Sequence, residues 1–375
     1  MEPCLQKIQS LNEVHGVVAY ADDILILING NTRAQLENKC NKVVQELDIW
    51  CVENKLKLSQ EKTVYMLLKG NLKRNPSIKI GGTNIKRTKT TKYLGIVLDE
   101  KLNFHQHITY TCEKSNKIMN KIISIGQRKF HLPLTVIRSY HESILTSIMA
   151  YGASIWAHRL QVKANAAAIE RVQRNVLIRL SGAYRTTAKS SLLVALGIPP
   201  MHLTIQKRAA IYSLKKGKIG ISRNIIQEPV NSIHDIKECI LNKWQNLWDS
   251  SETGRRTHGF FPDIRERLKL KYINPKEGSL HYLTGHGPYQ DTLHRIGIVD
   301  SPYCECGPII ATPEHVIFEC QRTRHYRPDI RAILANRYAY DILRVEELYG
   351  LLDELTAQIS RHHREEYRRR MNQMQ

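Results

Sequence analysis

The sequence predicts an α+β protein with short antiparallel hairpins within residues 1–104, helices through residues 105–280 and a small Cys/His segment at residues 281–330. Three observations support this fold class. Two short apolar runs flank the acidic pair Asp22–Asp23, apolar residues recur at helical spacing through the middle of the chain, and cysteines cluster near its end. These patterns predict hairpins first and an α-rich remainder.

The first hairpin is expected within His15–Asn29, HGVVAYADDILILIN. Both apolar runs are short and β-branched, so each is expected to form a buried strand, with a tight turn at Tyr20–Asp23. Adjacent carboxylates in an apolar setting need a counter-charge. Oxygen ligands suit Mg²⁺, so the pair Asp22–Asp23 predicts a Mg²⁺ site of the kind used in phosphoryl transfer. A polar turn with two solvated aspartates is the alternative.

A helix and further strands are predicted after the first hairpin. Apolar residues recur at helical spacing to about Asn54, and Thr32 with Gln35 predicts a capping box at the start of this helix. A short strand and turn are expected at Ile78–Gly82. Another strand is expected at Thr91–Asp99, and a central glycine there allows close approach of another backbone. An ordinary edge strand with a bulge is the alternative.

The remaining chain is predicted to be largely helical. One helix begins at Pro133, and another carries Arg171 and Arg174 among apolar residues at helical spacing. Lys215–Arg223 is expected to be a basic linker. The charged end of the chain, residues 361–375, is expected to be either a helix or a disordered basic arm.

A second metal site is predicted near the C-terminal end. Cys304, Cys306, His315 and Cys320 follow the pattern C-x-C-x8-H-x4-C. Three thiolates and one imidazole suit tetrahedral Zn²⁺. Unconnected reduced cysteines are the alternative, and His325 is a substitute ligand if one of the four is not used.

The composition favours a polyanionic partner. The chain has 56 Lys and Arg against 35 Asp and Glu, a net charge of +21, spread along the sequence. Nucleic acid is the first candidate and an anionic membrane surface the second. We find no apolar run long enough to span a membrane and no signal-peptide pattern. Cysteine usage does not indicate a disulfide framework and fits an intracellular protein.

Four stretches of the sequence resemble one family. Tyr20–Asp23, YADD, between apolar strands resembles the active-site hairpin of reverse transcriptases, and the segment around Lys62 resembles the motif that follows it. Tyr93, Leu94 and Gly95 lie in a segment that resembles the primer-grip hairpin of non-LTR, LINE-type elements. Leu283–Gly287, LTGHG, resembles the C-terminal region of arthropod non-LTR elements, before a Cys-Cys-His-Cys knuckle.

The resemblance implies a division of the chain and a set of roles. The implied parts are a partial palm with the primer grip (1–104), a thumb-like helical bundle (105–182), a helical connector (183–280), a zinc-knuckle region (281–330) and a basic helical tail (331–375). Asp22 and Asp23 would be the catalytic, Mg²⁺-binding residues. The residues implied to contact nucleic acid are Lys62, Tyr93, Leu94, Gly95, Arg171 and Arg174. For Lys62, a solvated surface lysine is the alternative.

The implied partners are an RNA template and a DNA primer or target, in the nucleus. In this family a further metal-binding aspartate and the fingers lie upstream of the YADD box. Residues 1–13 are too few to supply them. We therefore expect a C-terminal part of an RNA-directed DNA polymerase that is inactive alone. The alternative is a non-catalytic remnant that binds nucleic acid through the basic thumb and the zinc knuckle.

Overall fold

The structure, a computed structural model, describes residues 2–68, 70, 72–126, 133–326 and 339–373. The chain forms two compact units, Met1–His107 and Ile108–Gln375. The five-part division stays a prediction. Residues 327–338, which contain the end of the predicted zinc region and the start of the predicted tail, lie outside the described residues.

The first unit combines two helices with small strand pairs. Its elements in chain order are α1 (Glu2–Gln9), β1 (Val14–Tyr20), β2 (Asp23–Ile28), α2 (Arg33–Glu53), β3 (Val64–Tyr65), β4 (Lys79–Ile80), β5 (Thr83–Asn84), β6 (Lys86–Arg87), β7 (Thr90–Tyr93) and β8 (Ile96–Asp99). The pairs β1–β2, β4–β5 and β7–β8 are antiparallel, and β3–β6 is parallel.

The β1–β2 hairpin is covered by helices on one face. Buried residues of α1 and α2 pack together with half-buried residues of the hairpin: Cys4, Ile8, Val43, Leu47, Cys51, Val17, Ile24 and Ile26. The prediction of two buried strands is therefore wrong for the other face, where Val18, Tyr20 and Leu27 are exposed. Alternate strand residues point to opposite faces, and the helices cover only one of them. Helix α1 had no sequence prediction.

The segment Thr91–Asp99 forms a hairpin, the shape that its resemblance implies, and not one strand with a central glycine. Tyr93 pairs with Ile96, so Leu94 and Gly95 form a two-residue turn. Their φ values are 46° and 84°. Two consecutive positive φ angles are typical of a type I′ turn, whose twist matches that of the flanking strands. Gly95 therefore lies at the tip of a hairpin and not within a strand.

Helix α2 begins as predicted, with a small difference in its cap. The Thr32 hydroxyl accepts a hydrogen bond from the Gln35 backbone N–H at 3.2 Å. The Gln35 side chain accepts from the N–H of Asn31 at 2.9 Å and not from Thr32. The reciprocal bond is displaced by one residue, but both bonds still occupy backbone donors at the start of the helix.

The second unit is helical, and α3 begins just before it. Its elements are α3 (His105–Gly126), α4 (Leu134–Tyr140), a π-helical turn (His141–Leu145), α5 (Thr146–Met149), α6 (Ala153–Trp156), a 3₁₀ turn (Ala157–Gln161), α7 (Lys163–Ser181), α8 (Lys189–Leu196), α9 (Met201–Lys215), α10 (Ile219–Ile226), α11 (Ile233–Asp249), α12 (Arg255–Phe260), α13 (Ile264–Lys269), α14 (Glu277–Thr284), α15 (Gln290–Arg295), a second π-helical turn (His315–Glu319), a 3₁₀ turn (Gln321–Tyr326), α16 (Ala339–Ile342) and α17 (Glu346–Gln373). None of the described helices has both the length and the apolar composition that a membrane crossing needs.

Two predictions for this unit are resolved by the structure. The basic linker predicted at Lys215–Arg223 is wrong for most of its length, because only residues 216–218 connect α9 to α10. The C-terminal residues through Gln373 belong to helix α17 rather than to a disordered arm. The first half of α17 packs against α14 with Leu352 and Leu355 fully buried, so the helix is part of the core.

Candidate active-site hairpin and metal centre

The acidic turn of the first unit is formed by the β1–β2 hairpin. Tyr20 pairs with Asp23, which leaves Ala21 and Asp22 as the two turn residues. Both aspartates are exposed. Because paired residues share a face, Asp23 lies on the open face of the hairpin with Tyr20. Ala21 has φ 52°, a backbone conformation that is costly for a residue with a Cβ.

The second hairpin brings Tyr93 close to this turn. Burial raises the pKa of Tyr93, and the negative charge of Asp23 raises it further. The side chain of the last β7 residue therefore lies within electrostatic reach of the acidic pair, and the Leu94–Gly95 tip follows directly. Lys62 lies in the turn before β3, where it is exposed and has no hydrogen bond or ion pair to the described residues.

The acidic turn offers two carboxylates as ligands. Within the described ranges, the only group of three or more Cys, His, Asp or Glu side chains arranged to hold a metal is in the second unit. Glu13 precedes the hairpin but pairs with Lys42 at 2.8 Å, and this hydrogen bond lowers its pKa. One or two carboxylates, with water and substrate phosphates, are a common way to bind Mg²⁺. Asp22 and Asp23 fit that coordination.

Helix α7 in the second unit carries the two predicted arginines. Arg171 is exposed to solvent. Arg174 is half-buried, and its Nη2 donates to the carbonyls of Arg185 at 2.6 Å and Thr187 at 2.9 Å. Among the residues that the structure describes, its Nε and Nη1 have no acceptor, so both could donate to a further ligand. Arg174 thus holds the loop before α8, a role that helical spacing alone could not indicate.

Four Cys and His side chains converge in the second unit. The Sγ atoms of Cys304 and Cys320 are 3.6 Å apart, and Cys306 Sγ lies 3.2 Å from His315 Nε2. All four potential ligand atoms lie within 4.8 Å of one another. Sulfur atoms on a tetrahedral Zn²⁺ would be about 3.8 Å apart, given Zn–S bonds of about 2.3 Å. The group has the dimensions of a four-coordinate metal centre.

Local turns bring these ligands together. The Cys304 N–H donates to the Ile309 carbonyl at 2.7 Å and the Gly307 N–H to the Cys304 carbonyl at 3.2 Å, which folds the C-x-C segment back. The π-helical turn His315–Glu319 carries the other pair, with the Cys320 N–H bonded to the His315 carbonyl at 2.7 Å. Burial acts to raise the pKa of Cys320, but hydrogen bonds from Arg322, Thr323 and the other thiols outweigh it and lower the pKa. A lower pKa favours the thiolate that metals bind, whereas burial raises the pKa of the neighbouring Cys304, so the shift favours the thiolate at Cys320 alone.

Two charged residues beside the cluster have no sequence prediction. Glu319 Oε2 lies 3.5 Å from His315 Nδ1, the ring nitrogen that faces away from the thiols. Arg322 bridges Glu305 of the C-x-C segment and Glu366 of α17, with both N–O distances at 2.6 Å. The only sequence signal for Arg322 is its position two residues after a predicted ligand. His325 is outside the four-ligand group and stacks on Tyr326, with ring centroids 3.8 Å apart.

The LTGHG stretch forms the end of α14 and the loop after it. Gly285 caps the helix with φ 71°, and a Cβ there would lie 2.7 Å from the Arg256 side chain. The Arg256 Nε donates to the Tyr282 carbonyl at 2.8 Å, and its Nη2 pairs with Glu314 at 2.6 Å. Arg256 thereby connects Tyr282, the residue before this stretch, to Glu314, the residue before His315.

Comparisons with known proteins give consistent results. Residues 1–98 match the family model described as reverse transcriptase (RNA-dependent DNA polymerase). The chain is 29% identical over 333 residues to a putative 115 kDa protein in a type-1 retrotransposable element of Drosophila melanogaster, covering 85% of this chain and 32% of that protein. It is 29% identical over 313 residues to the retrovirus-related Pol polyprotein of type-1 element R1 from Bradysia coprophila. That match covers 81% of this chain and 31% of that protein.

A third relative is shorter. The Pol polyprotein of element R1 4 from Nasonia vitripennis is 26% identical over 339 residues, covering 83% of this chain and 85% of that protein. The chain spans about a third of the length of the first two relatives. No solved structure matches the chain.

Proposed function

Because the chain carries a LINE-type reverse-transcriptase region, we propose that it belongs to an RNA-directed DNA polymerase that extends a DNA primer along an RNA template. The observation that carries this proposal is the acidic turn at Ala21–Asp22. It presents two exposed carboxylates at the tip of an antiparallel hairpin, inside the segment that matches the family model. The proposed DNA target implies that the protein acts in the nucleus.

The proposed roles of the residues follow from their positions. Asp22 and Asp23 would hold Mg²⁺, which, when bound, stabilises the charge that develops on the transferred phosphoryl group. Tyr93 and the Leu94–Gly95 tip would contact the primer end, since Tyr93 lies within reach of Asp23. Lys62 would contact the phosphates of the incoming nucleotide or the leaving pyrophosphate.

The second unit would provide further contacts to the nucleic acid. Arg171 is exposed on α7 and can contact phosphates, and Arg174 has its Nε and Nη1 for the same purpose. Cys304, Cys306, His315 and Cys320 would bind one Zn²⁺, because three sulfurs and one imidazole nitrogen within 4.8 Å suit tetrahedral zinc. Glu319 beside His315 Nδ1 would orient the ring for that bond.

The second candidate function is nucleic-acid binding without catalysis. A two-metal phosphoryl-transfer site uses more carboxylates than one adjacent pair. In the residues that the structure describes, no third carboxylate joins Asp22 and Asp23 in a metal-binding group. A further chain or segment that supplies it would give the active enzyme, and without it the chain would bind a primer–template but not extend the primer.

Primer extension separates the two functions. A DNA primer annealed to an RNA template is incubated with Mg²⁺, nucleotides and either the unaltered chain or Asp22→Asn. A polymerase is expected to lose about 100-fold or more in extension rate with this change, since a metal ligand contributes several kcal/mol to the barrier. The matched control is Asp300→Asn, an exposed aspartate in the second unit that should leave the rate unchanged.

The outcomes have distinct meanings. Extension that depends on Asp22 supports the polymerase. Primer–template binding by both proteins without extension by either supports the binding protein. Equal extension rates for Asp22→Asn and the unaltered chain would mean that the acidic turn takes no part in catalysis.

A further inference from the structure

The surface formed by α9, the loop after it and the start of α10 has an unusual charge pattern. Residues 201–226 contain no Asp or Glu, but they contain six basic residues: Lys207, Arg208, Lys215, Lys216, Lys218 and Arg223. Helices α9 and α10 pack directly against each other. The basic residues are therefore concentrated on two adjacent elements and are not balanced within them.

One face of α9 combines positive charge with an aromatic ring. Arg208, Tyr212, Lys215 and Lys216 are spaced at i, i+4, i+7 and i+8, which places them on a single face of the helix. Tyr212 is 55% exposed, and the two lysines are exposed as well. An exposed aromatic ring between cations offers a face for stacking beside groups that bind phosphates.

The exposed surface continues into α10. Lys218, Ile219 and Ile221 are all exposed. A Cβ at Gly217 or Gly220 would meet no atom within 4 Å, so the backbone there is open to close approach. We call Arg208, Tyr212, Lys215, Lys216, Lys218, Ile219 and Ile221 together the α9–α10 surface.

The electrostatic environment of this surface is positive. The described ion pair of Arg208 is with Glu142, outside the segment. Burial lowers the pKa of the neighbouring Lys207, and the charges of Arg208 and Lys237 lower it further, while Glu142 opposes them. The exposed lysines of this surface, Lys215, Lys216 and Lys218, would attract a polyanion.

We propose that the α9–α10 surface binds single-stranded nucleic acid, with Tyr212 stacking on an unpaired base and Lys215, Lys216 and Lys218 contacting phosphates. Single strands are bound by basic grooves with aromatic platforms, since every base has a face to stack. A duplex keeps its bases stacked on each other and has no free face for Tyr212. This combination selects a single strand over a duplex, whereas lysines alone would not.

This inference goes beyond the proposed polymerase function. It uses residues of the second unit only and does not require Asp22, Asp23 or a bound metal. The Asp22→Asn protein should therefore bind single strands as the unaltered chain does. A failed primer-extension assay and a failed test of this surface would be separate results.

The test measures fluorescence anisotropy with labelled oligothymidylate and oligouridylate of about 16 nucleotides, and with a blunt DNA duplex of the same length. Tyr212→Ala is expected to weaken single-strand binding about tenfold and to leave duplex binding unchanged, because only stacking is removed. Tyr212→Phe keeps the ring and should bind like the unaltered chain. Circular dichroism and thermal melting show whether each variant is folded.

The lysines are tested with a matched double variant. Lys215→Ala with Lys216→Ala should weaken single-strand binding more than Lys269→Ala with Lys271→Ala, which removes the same charge from exposed positions elsewhere. A 5-iodouracil oligonucleotide should also crosslink to the peptide that contains Tyr212. This direct readout keeps the test valid if other basic surfaces bind the same strand.

Three results would overturn the proposal. One is unchanged single-strand affinity in Tyr212→Ala together with no crosslink to its peptide. Another is an equal loss for single strands and duplex, which would leave only general electrostatics. The third is binding to phosphatidylserine vesicles that depends on Tyr212 while single-strand binding does not, which would assign the surface to a membrane.

Discussion

Asp99 shows how a single residue holds the second hairpin. Its carboxylate is buried and accepts hydrogen bonds from the backbone N–H groups of Lys101, Asn103 and Phe104, at 3.1, 3.2 and 2.8 Å. The loop that it binds contains Leu102 and Phe104, with φ of 50° and 56°. Positive φ is costly for both residues, so the carboxylate stabilises a conformation that the loop alone would not favour.

Replacement of Asp99 tests this role. Asp99→Ala leaves three backbone donors without their acceptor and should lower the free energy of unfolding by about 3 kcal/mol. Differential scanning calorimetry should show a lower melting temperature for the transition of the first unit. Asp300→Ala, which removes an exposed carboxylate, should leave both transitions in place. Equal melting temperatures for Asp99→Ala and the unaltered chain would contradict the role of the loop bonds.

At the scale of elements, the Cys/His cluster links segments that have little other structure. The segment around Cys304 and Cys306 contains only a single β-bridge, Tyr303 to Ile310. The π-helical turn His315–Glu319 has one turn of helix. Such short elements bury too little apolar surface to be stable alone, and a bound metal would supply the missing free energy. Arg322 extends the linkage to α17 through Glu366.

Metal analysis tests the predicted zinc centre. The purified chain should contain one zinc per molecule by inductively coupled plasma mass spectrometry. Cys304→Ser should lose it, because one thiolate of the tetrahedral set is replaced by a weak ligand. Cys239→Ser, in α11 and outside the cluster, should retain it.

Hydrogen exchange adds a second readout for the same centre. Removal of the metal with a chelator should raise exchange across residues 303–326. A purified chain without zinc, in which exchange of this segment does not respond to added zinc, would refute the centre.

At the scale of the whole molecule, both units carry excess positive charge, and the longer second unit carries the larger share. Residues 1–107 contain 16 basic and 11 acidic residues, whereas residues 108–375 contain 40 basic and 24 acidic residues. Most of the excess of +21 thus lies in the second unit. We infer that the second unit provides most of the electrostatic attraction for nucleic acid.

Salt dependence tests this inference. The affinity of the full chain for nucleic acid should fall by about tenfold or more between about 50 and 200 mM salt, because Lys and Arg release counterions when they bind phosphates. Anisotropy titrations at several salt concentrations give the slope. A nearly flat slope would mean that phosphate contacts do not drive the binding.

Several features of the fold were predictable because they depend on local sequence. The turn between Tyr20 and Asp23 follows from two apolar runs that are separated by polar residues. Helix α2 and its Thr32 cap follow from helical spacing and a capping pattern. The grouping of Cys304, Cys306, His315 and Cys320 was predictable because short spacings restrict where their side chains can lie.

The glycine in the second hairpin was less predictable. The sequence TKYLGIVLD is compatible with one bulged strand or with two strands and a type I′ turn, and local preference does not separate them. The structure has the turn, with Tyr93 paired to Ile96. Leu94 and Gly95 therefore lie at the tip of this hairpin.

Local sequence is enough to predict the acidic hairpin turn, the α-rich basic region and the Cys/His group, because each depends on residues that are close along the chain. Tertiary packing brings Tyr93 near Asp23 and leaves Val18 and Tyr20 exposed. It also lets Arg322 join the cluster to α17. These contacts depend on which faces of distant elements meet. Local residue spacing predicts strands and helices, but it does not predict how favourably two distant faces pack together.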